Sequence, residues 1–221
     1  TAVDEKDEAR FICRTIDQLV DDGRSLHEIA MLYRTNAQSR ALEDALRNRG
    51  VPYRIFGGLR FYDRKEIKDV IAYLRVLHNP ADSVGLRRII NVPARGIGDT
   101  TVDKLERMAS QSGITLYQAA VDAANADITP SAKRKLKEFT AFMERLRSGP
   151  DSRTLTHLVN GVIEESGYLK ALEEERSIEA RVRIENLKEL LTATEDFTEQ
   201  NREATIAGFL LRVLLAELYK A

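Results

Sequence analysis

The stretch NVPARGIGDTTVDKL places two glycines one residue apart, directly before an amphipathic run. Gly96 and Gly98 can adopt positive φ angles, which lets the backbone approach a ligand closely. Asp99 or Thr100 can cap the helix that we expect to follow. The first N–H groups of a helix are unpaired and lie at the positive end of its dipole, so they favour a phosphate. The spacing predicts a phosphate-binding turn between two helices, and a simple turn remains the open alternative.

Positive charge is concentrated around this turn. The basic residues there are Arg87, Arg88, Arg95, Lys104 and Arg107. A helix-hairpin-helix-like unit with such charges can hold the backbone of a nucleic-acid duplex without reading its bases. The pattern does not predict a dinucleotide site, because the third glycine and the preceding strand of that motif are both missing.

A second candidate lies in the stretch LYRTNAQSR. The compact apolar run from Ile29 to Arg34 predicts a buried strand. Arg34, Thr35 and Asn36 would then stand at the carboxyl end of a parallel strand, where open α/β sheets bind ligands. These three side chains can hold a phosphodiester through one charge-assisted and two neutral hydrogen bonds. The alternative is that Thr35 and Asn36 only cap the next helix.

The stretch GGLRFYDRKEIKD is the third candidate. Gly57 and Gly58 predict a hinge between two domains. Phe61 and Tyr62 either stack on a base or pack into the hinge. The alternating charges of the run RKEIKD are typical of a solvated helical face with i,i+4 ion pairs.

Nothing in the sequence predicts catalysis by this chain. It has no G-x-x-x-x-G-K-[ST] loop, no Ser-His-Asp order and no carboxylate cluster suited to magnesium. His27, His78 and His157 lie far apart, and the lone Cys13 among apolar residues predicts a small buried side chain. We therefore expect no catalytic residue, no metal site and no cofactor in the chain.

The composition excludes a uniformly basic nucleic-acid binder. Among 221 residues, 34 Lys and Arg oppose 35 Asp and Glu, so the formal net charge is -1. Any anion-binding surface must therefore be local. The most apolar run, IAGFLLRVLLAEL, is too short to cross a membrane and contains Arg212 and Glu217. With no signal peptide at its start, we expect a soluble, cytoplasmic protein without a membrane partner.

The elements that must position these residues are of two kinds. Residues 29–58 have a strand, helix, strand pattern, which predicts an α/β fold with a partial parallel sheet. Two strands leave open edges, so the chain is expected to be part of a larger protein. After Gly58 the pattern becomes helical, and the fold is predicted to be predominantly α overall. We place a domain boundary there, between 1–58 and 59–221.

The helical part begins with a long apolar stripe. Ile67, Val70, Ile71, Leu74 and Leu77 form one face of a helix that ends before Asn79-Pro80. An earlier helix is predicted over 5–20. Further helices are predicted over 84–90, 100–110, 116–124, 132–147, 154–165 and 178–197.

Two segments together carry a resemblance to a known family. The segments AMLYRTNAQSRALEDALRNRGVPYRIFGGLRFYDRKEIKDVIAYLRVLHNP and RIINVPARGIGDTTVDKL resemble the UvrD/PcrA/Rep family of superfamily 1 DNA helicases. Members of this family move 3′ to 5′ on single-stranded DNA at the expense of ATP. The likeness is clear from about Asp4 to Lys104 and looser through ESGYLKALEEERSIEARVRIENLKELL. Residues past about Thr198 match poorly, and LLAELYKA is interpreted as an artificial end.

The resemblance implies a role for each candidate. Residues 1–58 would be part of the RecA-like subdomain 2A, and 59–221 would be the helical subdomain 2B. The implied single-stranded DNA contacts are Arg34, Thr35 and Asn36. The implied duplex contacts are Arg95, Gly96, Ile97, Gly98, Thr100 and Thr101. The 2A/2B hinge would contain Gly57, Gly58, Phe61 and Tyr62.

The implied function is that of the DNA-holding and regulating part of an ATP-dependent 3′–5′ DNA helicase. The family's Walker A lysine, magnesium-binding acidic pair and γ-phosphate arginines are missing from this chain. ATP and Mg²⁺ would therefore be bound elsewhere in the parent, and we expect the chain alone neither to hydrolyse ATP nor to unwind DNA.

Implied partners are single-stranded and duplex DNA, with other repair, replication or transcription proteins, in the bacterial cytoplasm at the nucleoid. The alternative is a helical protein-interaction or autoregulatory module with incidental DNA contacts. A third possible function, that of a nuclease, is not supported, because the sequence has no acidic cluster that could bind the metal ions.

Overall fold

The computed structural model describes residues 4–34, 38–55, 59–148, 154–201 and 203–218. These residues form eleven α-helices and no strand. The helices are α1 (Glu5–Asp21), α2 (Ser39–Asn48), α3 (Lys65–His78), α4 (Ser83–Ile89), α5 (Asp99–Ser112), α6 (Leu116–Val121), α7 (Pro130–Arg147), α8 (Leu155–Glu165), α9 (Tyr168–Glu175), α10 (Ile178–Gln200) and α11 (Ile206–Leu218). Single 3₁₀ turns occupy Leu26–Glu28, Phe61–Asp63 and Ala123–Asn125.

The chain divides into two compact units. The first contains residues up to Arg64 together with those from Val213 onward, and the second is Lys65–Arg212. The assignment of these parts to subdomains 2A and 2B stays a prediction. No helix within the described ranges is long and apolar enough to cross a membrane.

The prediction of an α/β fold with a parallel sheet is wrong. Ile29 has extended dihedral angles (φ -105°, ψ 123°), but the described residues contain no second strand to pair with its segment. A strand needs such a neighbour, because its N–H and C=O groups bond across to another chain segment. The run is also not buried as a whole, since Leu32 is 98% exposed.

The apolar residues of this run instead cover a small helical core. Its centre is formed by Cys13, Ile16 and Leu46, and the residues packed against it are Ile12, Ile29, Met31, Ala45, Val51 and Tyr53. The first residue of the expected second strand, Val51, instead closes the end of α2, because its N–H donates to the Leu46 carbonyl at 3.0 Å. Both runs are apolar because they cover α1 and α2, and the prediction that Cys13 is buried is confirmed.

Helix α3 forms the centre of the second unit. It packs against α4, α7, α8 and α10, and its whole predicted apolar face is buried. The prediction of a solvated charged face at its start is wrong for Arg64, Glu66 and Asp69, which are buried. These groups are buried with hydrogen-bond partners: Glu66 accepts from the Asn186 Nδ2 at 2.5 Å, and Asp69 accepts from the Tyr168 hydroxyl at 2.7 Å.

Every helix predicted from apolar spacing is present, with ends shifted by a few residues. Side-chain N-caps explain several of the starting positions. The capping residues are Asp4, Asp82, Thr115, Thr129, Thr154 and Ser177. Three helices, α2, α5 and α9, begin without a side-chain cap. In α5 the N-cap residue is Gly98, which has no side chain to supply one.

Candidate functional site

The loop that joins α4 to α5, residues 90–98, holds the Gly-Ile-Gly sequence. Gly96 has φ +72°, the left-handed region that favours glycine. Gly98 has φ -78° and ψ 166°, so it does not use the positive φ that a glycine allows. The two glycines therefore do different things: Gly96 makes the turn, and Gly98 leaves room beside the helix start.

Asn91 organises the loop, a role that the sequence analysis missed. Its Oδ1 accepts the backbone N–H of Arg95 at 2.8 Å and that of Ile97 at 3.1 Å. The Ile97 side chain is 1% exposed and anchors the loop in the core. An asparagine two residues before a proline was the available signal, because Asn side chains commonly bond to the backbone of the turn that follows them.

Arg95 directs its guanidinium inward. Its Nη1 donates to the Ile89 and Pro93 carbonyls, both at 3.2 Å, and its Nη2 donates to the Tyr73 hydroxyl at 2.7 Å and the Ser166 carbonyl at 2.9 Å. The same group lies 5.4 Å from the centre of the Phe139 ring. With four acceptors around it, this arginine holds the loop in shape.

The start of α5 presents open N–H groups. The Gly98 carbonyl accepts from the N–H of Thr101 at 2.9 Å and from that of Val102 at 3.2 Å. The preceding N–H groups, those of Asp99 and Thr100, have no acceptor among the described residues. A β-carbon added at Gly98 would meet nothing within 4 Å. An anion could therefore approach this helix end. The exposed carboxylate of Asp99, the first residue of the helix, is the negative charge that would repel it.

Most of the predicted positive charge around the loop is engaged inside the protein. Arg87 pairs with Asp103 at 3.2 Å and Glu106 at 2.5 Å, Arg88 pairs with Asp69 at 2.8 Å, and Lys104 pairs with Asp127 at 3.2 Å. Only the exposed Arg107, of the five predicted residues, has no ion-pair or hydrogen-bond partner within the described ranges. The electrostatic support expected from sequence is therefore weaker than the residue count indicates.

Lys135 is a basic residue that sequence reasoning did not connect with the loop. It lies on α7, and its Nζ occupies the place where a β-carbon on Gly96 would stand. Its side chain is half-buried, and it has no hydrogen-bond or ion-pair partner in the described part of the chain. No local pattern could have revealed this contact, because the two residues are far apart in sequence.

The second candidate site is only partly described. Arg34 is exposed, and its backbone N–H donates to the Gln38 Oε1 at 3.1 Å. Thr35 and Asn36 lie outside the described residues, as do the hinge glycines Gly57 and Gly58.

The aromatic pair of the third candidate is buried. Phe61 and Tyr62 are 0% and 4% exposed, and their rings meet edge to face at 5.1 Å. This burial favours packing over stacking on a base. The Phe61 N–H donates to Glu43 at 3.2 Å.

Glu43 is the centre of a polar cluster that the sequence did not indicate. It accepts from the Ser39 hydroxyl at 2.7 Å, and Ser39 in turn accepts from the Arg64 Nη2 at 2.7 Å. Burial raises the pKa of the Glu43 carboxyl, with the nearby hydroxyl and N–H groups opposing that shift. Neither this cluster nor any other part of the described residues brings together three His, Cys, Asp or Glu side chains that could hold a metal ion.

Comparison with known proteins gives one consistent result. The model of the UvrD-like helicase C-terminal domain family matches residues 1–219. The ATP-dependent DNA helicase PcrA of Bacillus subtilis is 39% identical over 209 residues, which are 94% of this chain and 28% of that protein. PcrA proteins of Staphylococcus epidermidis and Staphylococcus aureus are 37% and 36% identical over 223 residues, covering all of this chain and 31% and 30% of theirs. The chain thus spans less than a third of the length of these relatives.

Proposed function

The chain belongs to the UvrD-like helicase C-terminal domain family, and from this membership we propose that it is the DNA-holding part of a PcrA-type ATP-dependent DNA helicase. In this proposal the loop at residues 90–98 and the start of α5 bind the phosphate backbone of duplex DNA. Residues Arg34, Thr35 and Asn36 bind the single strand. The whole protein would move 3′ to 5′, with ATP and Mg²⁺ bound by parts other than this chain.

The observation that carries the duplex proposal is the open start of α5. The N–H groups of Asp99 and Thr100, which have no acceptor among the described residues, can donate to phosphate oxygens, and Gly98 has no side chain to obstruct them. Contacts of this kind recognise the backbone and not the bases, so binding should not depend on sequence. The ammonium group of Lys135 supplies a positive charge beside Gly96, in the same loop.

Lys135 and Lys137 form a matched pair for testing this proposal. Both are lysines of α7, and they point about 200° apart because each helical residue turns by about 100°. The measurement is the affinity of the chain for a fluorescent duplex with a 3′ single-stranded tail, titrated with salt. Each phosphate contact made by a lysine contributes about 0.9 to the slope of log affinity against log salt.

We expect Lys135→Ala to weaken duplex binding and to lower this slope by about 0.9, whereas Lys137→Ala leaves both unchanged. Equal effects of the two substitutions would mean that the loop does not bind the duplex. Arg34→Ala should weaken binding to the single-stranded tail and leave binding to the duplex unchanged, which distinguishes the two proposed DNA sites.

A second candidate function is a protein-interaction or autoregulatory module. The observation that favours it is the pairing of Arg87, Arg88 and Lys104 with carboxylates, which leaves little free positive charge near the loop. Under this function the wild-type chain would not bind the tailed duplex even at low salt. The same titration therefore decides between the two candidates.

A further inference from the structure

Tyr73 and Arg95 tie the α4–α5 loop to α3 from within the protein. The Tyr73 hydroxyl donates to the Val92 carbonyl at 2.5 Å and accepts from the Arg95 Nη2 at 2.7 Å. A hydroxyl has one proton to donate and lone pairs to accept, so both bonds can exist together. Through this single oxygen, α3 holds the loop on both sides of Pro93.

The guanidinium extends this connection to a third element. Its Nη2 also donates to the Ser166 carbonyl, in the turn between α8 and α9, at 2.9 Å. The loop is therefore fixed against α3 and against the α8–α9 turn by one side chain. Arg95 cannot turn outward to a phosphate without giving up four hydrogen bonds.

Tyr73 itself cannot touch DNA, because it is 0% exposed. Burial raises its pKa to about 12, so the hydroxyl keeps its proton under ordinary conditions and remains a donor to Val92. Any effect of this residue on DNA binding must therefore act through the loop that it holds.

We propose that Tyr73 and Arg95 are positioning residues for duplex binding: they hold the backbone of Gly96–Gly98 so that the N–H groups at the start of α5 point to the phosphate. The inference rests on the proposed function of this loop. It reassigns Arg95, whose sequence context suggests a direct phosphate contact, to an internal role.

The test compares Tyr73→Phe and Arg95→Lys with wild type in the tailed-duplex titration. Tyr73→Phe removes only the hydroxyl, and we expect duplex affinity to fall about fivefold, the equivalent of one typical hydrogen bond. Arg95→Lys keeps the charge, but an ammonium group cannot meet four acceptors in separate directions, so affinity should fall at least as much. In both variants the salt slope should stay at the wild-type value, because no charged phosphate contact is lost.

Tyr117→Phe is the matched control. It also removes one hydroxyl, which donates to Glu144 of α7 at 2.8 Å and not to a residue of the loop. We expect it to lower thermal stability without changing duplex affinity. Affinity is measured well below the unfolding temperature of each variant, so that loss of folded protein does not contribute.

The outcomes separate this inference from the proposed function. If wild type binds the duplex and Tyr73→Phe binds equally well, the positioning role is overturned and the proposed function stands. If Arg95→Lys keeps wild-type affinity, or Arg95→Gln lowers the salt slope by about 0.9, Arg95 contacts phosphate directly and the inference fails. If wild type itself does not bind at low salt, the proposed function fails and the inference fails with it.

Discussion

Gly96 and Gly98 make different demands on the residue at each position. Gly96 needs its glycine for the backbone, because an L side chain at φ +72° costs about 1–2 kcal/mol. A β-carbon there would also displace the Lys135 ammonium group. Gly98 has an ordinary backbone conformation and open space, so the fold does not require glycine at that position.

We therefore expect Gly96→Ala to lower the free energy of unfolding by about 1–2 kcal/mol. Gly98→Ala should change it by less than about 0.5 kcal/mol, since weaker capping is offset by a less flexible unfolded chain. Urea unfolding of the two variants checks this. Equal losses in both would contradict the different roles assigned to the two glycines.

Tyr73 makes the free energy of unfolding depend on pH in the alkaline range. Its pKa is raised from the usual value near 10 to about 12, mainly by burial. The folded state therefore holds this proton more tightly than the unfolded state. Its contribution is complete below pH 10 and is lost as pH rises through 12.

We expect the free energy of unfolding to fall between pH 10 and pH 12, by roughly 2–3 kcal/mol from Tyr73 alone. Burial also raises the pKa of Tyr117 and Tyr168, so these residues act in the same direction. Tyr73→Phe should show a shallower decline over this range in urea unfolding. A decline identical to that of wild type would mean that Tyr73 does not titrate as described.

At the scale of elements, Asp69 joins three helices. Its carboxylate, on α3, accepts from the Arg88 Nε of α4 at 2.8 Å and from the Tyr168 hydroxyl of α9 at 2.7 Å. The carboxylate is almost completely buried, whereas Arg88 is exposed enough to turn toward water. The cost of losing Asp69 should therefore come mainly from the buried Tyr168 hydroxyl.

Asp69→Ala is expected to lower the free energy of unfolding by about 2 kcal/mol, because a buried hydroxyl is left without an acceptor. Asp69→Asn should cost less, since its amide oxygen can still accept from Tyr168. Asp103→Ala, which removes an exposed partner of Arg87, is the control and should have no measurable effect. Chemical denaturation of the three variants decides, and an Asp69→Ala variant as stable as Asp103→Ala would contradict the role.

Helices could be predicted from the sequence because apolar spacing reports directly on the face that is buried. The same signal failed for Ile29–Arg34, where a short apolar run predicted a strand. Apolar content records that side chains are covered, and here helices α1 and α2 are what they cover. Whether another segment lies alongside to accept hydrogen bonds depends on distant residues, which periodicity does not report.

The candidate site could be predicted in part for the same reason. The turn and the start of α5 are local, and the sequence indicates both. The inward direction of Arg95 depends on Tyr73 and Ser166, and the position of Lys135 depends on the packing of α7. These contacts join residues far apart in the chain, so no local motif could report them.

At the scale of the whole molecule, acidic residues balance the basic residues in number, and near the loop the two kinds also form ion pairs. Arg87, Arg88 and Lys104 pair with carboxylates of the same unit. The proposed duplex contact therefore relies on backbone N–H groups and few free cations. Binding by this chain alone should then be weak, and its salt slope should be small.

The most direct test of the proposed function is to place a serine at Gly98 and to measure stability and duplex affinity together. The backbone angles at this position suit an N-cap, so the serine hydroxyl can accept one of the open N–H groups of α5. We expect Gly98→Ser to raise the free energy of unfolding by about 0.5–1 kcal/mol and to weaken binding to the tailed duplex. A more stable variant that binds the duplex as well as wild type would show that the start of α5 is an ordinary helix end, and the proposed function of the loop would be wrong.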